Sequence, residues 1–144
     1  MDDYVLIIYN PVIRSLSNLP KAFITDISFG ISVSSNFYRP LQIISYMLDY
    51  HFYWLFSYGY HLTSIALHIL VAFSVFLLIY NIIKDSKIAF AAALLFALNP
   101  IHTEAVTYIS GRAELLMGLF LILSVVAFIR GYRVISWLLF ICGL

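Results

Sequence analysis

This sequence has few charged residues. Only 10% of its 144 residues are charged and 63% are hydrophobic, whereas a soluble domain has about 25% charged residues. This balance, with a mean hydropathy of +0.98, excludes an ordinary water-soluble globule and predicts an all-α, polytopic transmembrane helical bundle. The net charge is +1 and there is no basic cluster of the kind that nucleic-acid binding requires. The lone Cys142 excludes an internal disulfide framework or a thiolate zinc site.

Apolar runs predict four transmembrane helices. The clearest run, 60–83, has no charged residue and would extend about 36 Å as a helix, enough to cross a bilayer. A shorter run ends at Asn99-Pro100, and its length alone would suit a re-entrant segment. We predict helices at about 60–83, 85–98, 105–129 and 134–144. The last stops inside an apolar run, so we expect the chain to be a truncated piece of a larger protein, with further helices beyond it.

Residues 1–59 are too polar and too interrupted by proline and glycine to span, and they predict a large N-terminal outer loop. Within it, 41–56 has apolar residues at helical spacing, with Gln42, Ser45 and Asp49 on another side. This pattern predicts an amphipathic helix. It lies either in the membrane interface or packed within the loop, and the sequence leaves both interpretations open.

Basic residues predict the orientation. Lys84 and Lys87 lie in one short loop and Arg130 and Arg133 in another, two membrane passes later. The positive-inside rule places both loops in the cytosol. The outer loop and the turn at 99–112 then face the lumen of the endoplasmic reticulum or, in a bacterium, the periplasm. This orientation requires the short 85–98 helix to cross.

The turn after that short helix holds His102 and Glu104. Thr103 as a helix N-cap with Glu104 in the first turn would be purely structural, but this leaves His102 unexplained. Because a helix over 85–99 spans only roughly 22 Å, the turn should lie below the outer membrane surface. Ionisable residues at such depth are costly and usually functional, so the pair is a candidate site.

Other polar residues have both a structural and a chemical interpretation. Arg112 needs a partner near the membrane, either Glu104 or Glu114 or a phosphate, which guanidinium binds bidentately. Arg39 is a similar phosphate candidate, although an interfacial arginine with its charged end in water is the more common case. His61 and His68 share a helix face and favour helix–helix hydrogen bonding over a metal site.

The acidic start and several motifs together resemble a known family. DDYVLIIYNP occurs at 2–11, YRPLQ at 38–42, GYHLT at 59–63 and NPIHTEAVTYISGRAELL at 99–116. In this order they resemble the N-terminal membrane region of the TMTC-type (transmembrane and tetratricopeptide repeat) protein O-mannosyltransferases. The chain departs from that family in lacking a first helix, the later helices and the repeats. It also has Asn99 where a histidine is common.

The resemblance implies a membrane glycosyltransferase of the GT-C superfamily, in the endoplasmic reticulum membrane or a bacterial inner membrane. Its donor would be a polyprenyl- or dolichyl-phosphate sugar, with mannose expected, and its acceptor a protein Ser/Thr hydroxyl. The acidic catalytic motif of the first outer loop falls on Asp2 and Asp3, and a second acidic position falls on Glu104. Asp2 or Asp3 would act as general base for an inverting single displacement. Arg112, Arg39 and His102 would bind the lipid phosphate.

The sequence leaves the cofactor and the alternative functions undecided. No cofactor is certain, and a divalent metal held by His102 and Glu104 is one way to stabilise the leaving phosphate. Taken alone, Asp2 and Asp3 are better explained as a solvated acidic terminus than as a general base. The alternative functions are a non-catalytic membrane subunit, whose polar residues only join helices, and a transporter fragment with a broken helix at its substrate site. Expected partners are the donor, an acceptor protein, the lipid bilayer, and the remaining helices and tetratricopeptide repeats of the parent.

Overall fold

The computed structural model describes residues 6–24 and 38–144, and in these ranges it contains helices and turns but no strand. The predicted all-α class is therefore confirmed. Short 3-10 turns occur at Val12–Arg14, Leu16–Asn18, Pro100–His102 and Ile109–Gly111. The α-helices are α1 (Leu19–Ala22), α2 (Pro40–Tyr53), α3 (Ser57–Ile83), α4 (Ser86–Leu98), α5 (Thr103–Thr107), α6 (Arg112–Ile129) and α7 (Arg133–Cys142).

Two stretches of the described chain are long and apolar enough to cross a membrane. They are α3, with 27 residues, and Ile109–Ile129, with 21. A third span is present if α4 and Pro100–Thr107 are counted together, although the two parts are bent by 50°. The bend follows from Pro100, which disfavours the helical conformation of the residue before it; Asn99 is extended, with φ −69° and ψ 120°.

The long helices pack side by side, with α3 between two neighbours. α3 packs on both α4 and α6, and α6 packs on α7. Asp85 caps α4 by accepting from the backbone N–H of Lys87 at 2.8 Å, which satisfies a donor that a helix start otherwise leaves unpaired. At the same end, Arg130 Nε donates to Asn81 Oδ1 at 3.1 Å. The two basic loops of the sequence therefore lie at one end of the bundle.

The other end carries a small core formed by the segment before α2. Ile13 and Val12 are buried there against Ile43, Tyr46 and Met47 of α2. These contacts hold the N-terminal turns on α2, which in turn packs on α3 and α6. The end of the bundle opposite the basic loops is thus covered by the segment that the sequence predicts to be an outer loop.

The segment 105–129, expected as one helix, is instead broken at Tyr108, where φ is −85° and ψ is 131°. α5 ends there and α6 begins at Arg112 after a 3-10 turn. Gly111 allows this close turn, because a Cβ on it would lie 2.8 Å from the Cα of Ala105. Sequence periodicity did not reveal the break, since both halves are apolar.

Candidate functional site

Arg112 is the largest fully buried side chain among the described residues, and it lies at the first position of α6. Its Nη1 forms an ion pair with Asp49 Oδ2 at 2.6 Å and donates to Ser45 Oγ at 3.2 Å. Its Nη2 donates to the carbonyl of Tyr60 at 2.8 Å. One guanidinium therefore connects α2, α3 and α6 at the end of the bundle opposite the basic loops.

Asp49 lies on α2 and is held from the α3 side as well. The hydroxyl of Thr63 donates to Asp49 Oδ1 at 2.7 Å, and Thr63 also contacts the carbonyl of Gly59, one turn earlier, at 3.2 Å. Burial raises the pKa of the Asp49 carboxyl, while the charge of Arg112 and the Thr63 hydroxyl oppose the increase. The free-energy cost of removing this carboxylate from water is therefore larger than the stabilisation of its charged form by Arg112 and Thr63.

Two tyrosines enclose the guanidinium. The Arg112 Cζ lies 4.9 Å from the ring centroid of Tyr46 and 5.9 Å from that of Tyr60. Both rings are fully buried. Cation–π attraction at such distances is worth more in a desolvated site than on a surface, so the rings compensate part of the cost of burying the charge.

Further hydrogen bonds join α2 to the 3-10 turn that precedes α6. Tyr46 donates its hydroxyl to the carbonyl of Ile109 at 2.7 Å. Gln42 Nε2 donates to the carbonyl of Ser110 at 3.0 Å and to the Tyr46 hydroxyl at 2.7 Å. The turn thus has side-chain donors for carbonyls that a continuous helix would pair internally, which explains how the break in the span is stabilised.

The polar residues of α2 consequently point into the protein, together with buried apolar residues of the same helix. Gln42 and Asp49 are only 2% and 4% exposed, whereas Leu48 on the same helix is 46% exposed. Sequence reasoning identified the polar stripe but gave none of its residues a role. The signal was present, because residues 42, 45 and 49 recur at helical spacing and a buried arginine requires a carboxylate. The partner that the structure shows is Asp49, rather than the Glu104 or Glu114 that sequence spacing suggested.

His102 lies in a separate aromatic cluster. Its ring centroid is 4.2 Å from that of Phe96 and 5.7 Å from that of His68. His68 Nε2 in turn contacts the carbonyl of Ala97 at 3.2 Å, a hydrogen bond between α3 and α4 of the kind expected for this histidine. Because His68 is eleven residues into α3, His102 is at a depth of roughly 16 Å from the start of that helix.

Glu104 is exposed on α5, while its neighbour Ala105 is buried. No group of three potential His, Cys, Asp or Glu ligands gathers in 6–24 and 38–144, so His102 and Glu104 have no described third ligand. The described residues therefore do not supply a complete metal site.

The remaining sequence candidates are dispersed or lie outside the described ranges. Arg39 is exposed and directly precedes α2. Asp2 and Asp3, the predicted catalytic carboxylates, fall outside the described residues. Among the predicted site residues, Arg112 thus belongs to the buried network, His102 ends the turn between α4 and α5, and Glu104 lies in α5 directly after it.

The sequence of this chain is similar to those of several known membrane proteins named as protein O-mannosyl-transferases. The chain is 33% identical over 140 residues to the protein O-mannosyl-transferase F38B6.6 of Caenorhabditis elegans, an alignment covering 92% of this chain and 20% of that protein. It is 40% identical over 93 residues to human protein O-mannosyl-transferase TMTC3, covering 65% of this chain and 10% of that one. It is 39% identical over 117 residues to tmtc2 of Xenopus laevis, covering 78% and 14%.

No known family profile matches the chain, and no solved structure matches it. The chain spans a fifth or less of the length of these relatives. The similarity nevertheless runs through most of the chain at 33–40% identity. The resemblance to TMTC-type protein O-mannosyltransferases, stated above from motifs alone, is thereby confirmed: this chain is a helical membrane protein homologous to a part of those enzymes.

Proposed function

We propose that this chain is part of the membrane domain of a protein O-mannosyltransferase and forms one wall of its transfer site. The observation that carries the proposal is the exposed Glu104 in α5, two residues after the half-buried His102 of the preceding turn. Relatives named as protein O-mannosyl-transferases align with most of the chain. An ionisable side chain within a membrane-spanning segment is costly and is usually functional.

The proposed donor is a polyprenyl- or dolichyl-phosphate sugar, with mannose as the sugar, and the acceptor is a Ser or Thr hydroxyl of a protein. Asp2 or Asp3 takes the hydroxyl proton, and the oxygen then forms a bond to the anomeric carbon. The bond from that carbon to the phosphate oxygen breaks, and the lipid phosphate leaves with the electron pair. A single displacement of this kind inverts the anomeric centre and needs no protein nucleophile.

Glu104 is the second carboxylate of the proposed site, and His102 and Arg39 are the proposed contacts of the lipid phosphate. Arg112 was a candidate for the same role. Its full burial and its contacts with Asp49 and Ser45 support a different one, because it would have to leave Asp49 to reach a phosphate. We assign Arg112 as a positioning residue, which fixes α2 against the start of α6.

The proposed location is the endoplasmic reticulum membrane, or the inner membrane if the source is a bacterium, with the site on the lumenal or periplasmic side. The bond between Arg130 and Asn81 supports this orientation, because it brings the two basic loops to one end of the bundle. Tetratricopeptide repeats in the parent protein remain part of the proposal, as do helices outside this sequence.

Transfer of labelled mannose from dolichyl-phosphate mannose to a Ser/Thr peptide tests the proposal in the intact protein. Asp2→Asn, Asp3→Asn and Glu104→Gln are compared with Glu114→Gln, a matched change of an exposed glutamate in α6. We expect at least one of the three to lower the rate about 100-fold or more, the range for loss of a general base, while Glu114→Gln stays near normal. Near-normal rates for all three would remove the catalytic role of these carboxylates.

A further inference from the structure

A pocket of about 330 Å³ lies between the N-terminal turns and α2. From the turns it is lined by Arg14, Ser15 and Ser17, and from α2 and the residue after it by His51 and Trp54. None of the described lining residues is acidic. The pocket therefore combines a guanidinium, an imidazole and two hydroxyl groups, all of which can donate hydrogen bonds to an anion.

The donors are held in place by local structure. Arg14 Nη2 donates to the carbonyl of Ile8 at 2.9 Å, which anchors the side chain. Because a guanidinium has several N–H donors, this bond does not exhaust its capacity to bind an anion. The hydroxyls of Ser15 and Ser17 are 2.7 Å apart, so both belong to one small polar surface. Such a fixed guanidinium fits the oxygen atoms of a phosphate group better than a flexible lysine would.

Trp54 has an unusual backbone conformation, and the Tyr60 hydroxyl donates to its carbonyl at 2.9 Å. Its backbone has φ 54° and ψ −123°, a region that a bulky residue avoids. Nevertheless its side chain is 66% exposed, and its ring stacks on Tyr50, which also lines the pocket, with centroids 5.8 Å apart. Strained conformations concentrate at ligand-binding positions, and this one presents a large aromatic ring at the pocket.

The position of the pocket in the membrane decides what kind of phosphate reaches it. Trp54 is three residues before α3, the clearest membrane span. Around it, Phe52, Phe56 and Tyr58 are between 71% and 79% exposed, as is typical of the aromatic belt at the headgroup level. A pocket at this level, next to exposed apolar rings, meets amphiphilic molecules with the phosphate already at the right depth.

We propose that the pocket formed by Arg14, Ser15, Ser17, His51 and Trp54 binds the phosphate group of a membrane lipid. The guanidinium and hydroxyl groups donate to the phosphate oxygens, and the exposed aromatic rings contact the acyl chains. This site is independent of the proposed sugar transfer, because it involves none of the residues assigned to that reaction. A lipid bound there fixes the depth of α2 and of the first span.

The chain has only two tryptophans, which provides a direct reporter. Trp137→Phe, a change on the exposed surface of α7, leaves Trp54 as the sole tryptophan. The purified chain in a phosphate-free detergent is titrated with dihexanoyl phosphatidic acid, with dihexanoyl glycerol as the matched lipid without phosphate, and with inorganic phosphate. We expect a saturable change in Trp54 emission with phosphatidic acid, at least about tenfold stronger apparent binding than for either comparison ligand.

In the same background, Arg14→Gln should weaken the binding of phosphatidic acid about tenfold or more, because a charge-assisted hydrogen bond is lost. Arg133→Gln, the same change at an exposed position of α7, should leave it unchanged. If Arg14→Gln disturbs folding, Ser17→Ala removes one hydroxyl of the pocket and should still weaken binding severalfold. Equal binding of dihexanoyl glycerol, equal binding of inorganic phosphate, or no effect of either pocket variant would overturn the proposal.

Discussion

Replacing Arg112 by methionine separates the charge of the buried network from its volume. The change removes the guanidinium but keeps a long apolar side chain between Tyr46 and Tyr60. Asp49, whose side chain is 5% exposed, is then left with the Thr63 hydroxyl as its partner. Removing one member of a buried ion pair typically costs about 3–5 kcal/mol, and we expect a loss of unfolding free energy in that range.

The matching change at the other partner should cost at least as much. Burial raises the pKa of Asp49, so an unpaired Asp49 can lose its charge by binding a proton, whereas Arg112 stays charged when its partner is removed. Asp49→Asn leaves the fully buried guanidinium with neutral partners only, and we expect a loss of about 3–5 kcal/mol. In the double variant the two losses should not add. The loss should be smaller than the sum of the two single losses by about 1–3 kcal/mol, as for residues in direct contact.

The pH dependence of Arg112→Met provides an independent check. Without the arginine, the pKa of Asp49 in the folded chain rises further above its unfolded value, so the folded state binds the proton first as pH falls. Stability must then increase as pH is lowered through the raised pKa of Asp49 towards its unfolded value, by at most about 1.4 kcal/mol per pH unit. The wild-type chain should show a weaker dependence of the same sign.

Unfolding free energies are measured by sodium dodecyl sulfate titration of the chain in mixed micelles, followed by far-ultraviolet circular dichroism. Strictly additive losses in the double variant would show that Asp49 and Arg112 do not interact energetically. An Arg112→Met variant that loses stability on acidification would contradict the assignment of Asp49 as the group left unpaired.

The remaining predictions concern packing and use the same titration. Gly111→Ala places a Cβ against backbone atoms and should lower the unfolding free energy by about 1–3 kcal/mol. Gly118→Ala meets only one side-chain atom, at 3.9 Å, and should be neutral or stabilising by up to about 1 kcal/mol; equal effects of the two changes would contradict the close approach. Ser124→Ala removes the hydroxyl that donates to the Ser136 carbonyl at 2.9 Å and should cost about 0.6 kcal/mol, more than Ser136→Ala, which retains that carbonyl.

The membrane spans were predictable because they depend on composition over many residues. The run at 60–83 needs only the absence of charge, and the structure has a helix, Ser57–Ile83, over it. The break at Tyr108 was not predictable in the same way. It depends on Tyr46 and Gln42 donating to carbonyls more than sixty residues away, and no local pattern encodes a contact of that separation.

The candidate site was predictable to the same limited degree. A buried arginine near a membrane helix needs a partner, and this argument correctly singled out Arg112 as a residue with one. Which carboxylate pairs with it depends on how α2 lies on α3 and α6, and sequence spacing favours near neighbours such as Glu114. The pairing with Asp49 follows from tertiary packing alone.

The orientation of α2 explains how the buried network and the N-terminal turns depend on each other. The inward side of the helix carries the apolar Ile43 and Met47 as well as the polar Asp49. The apolar residues form the core that holds the N-terminal turns, while Asp49 pairs with Arg112 of α6. A carboxylate buried this deeply is stable only beside its partners, so the helix can dock in one orientation alone. The ion pair therefore fixes how α2 lies on α6, and with it the position of the pocket at Trp54, the residue that directly follows α2.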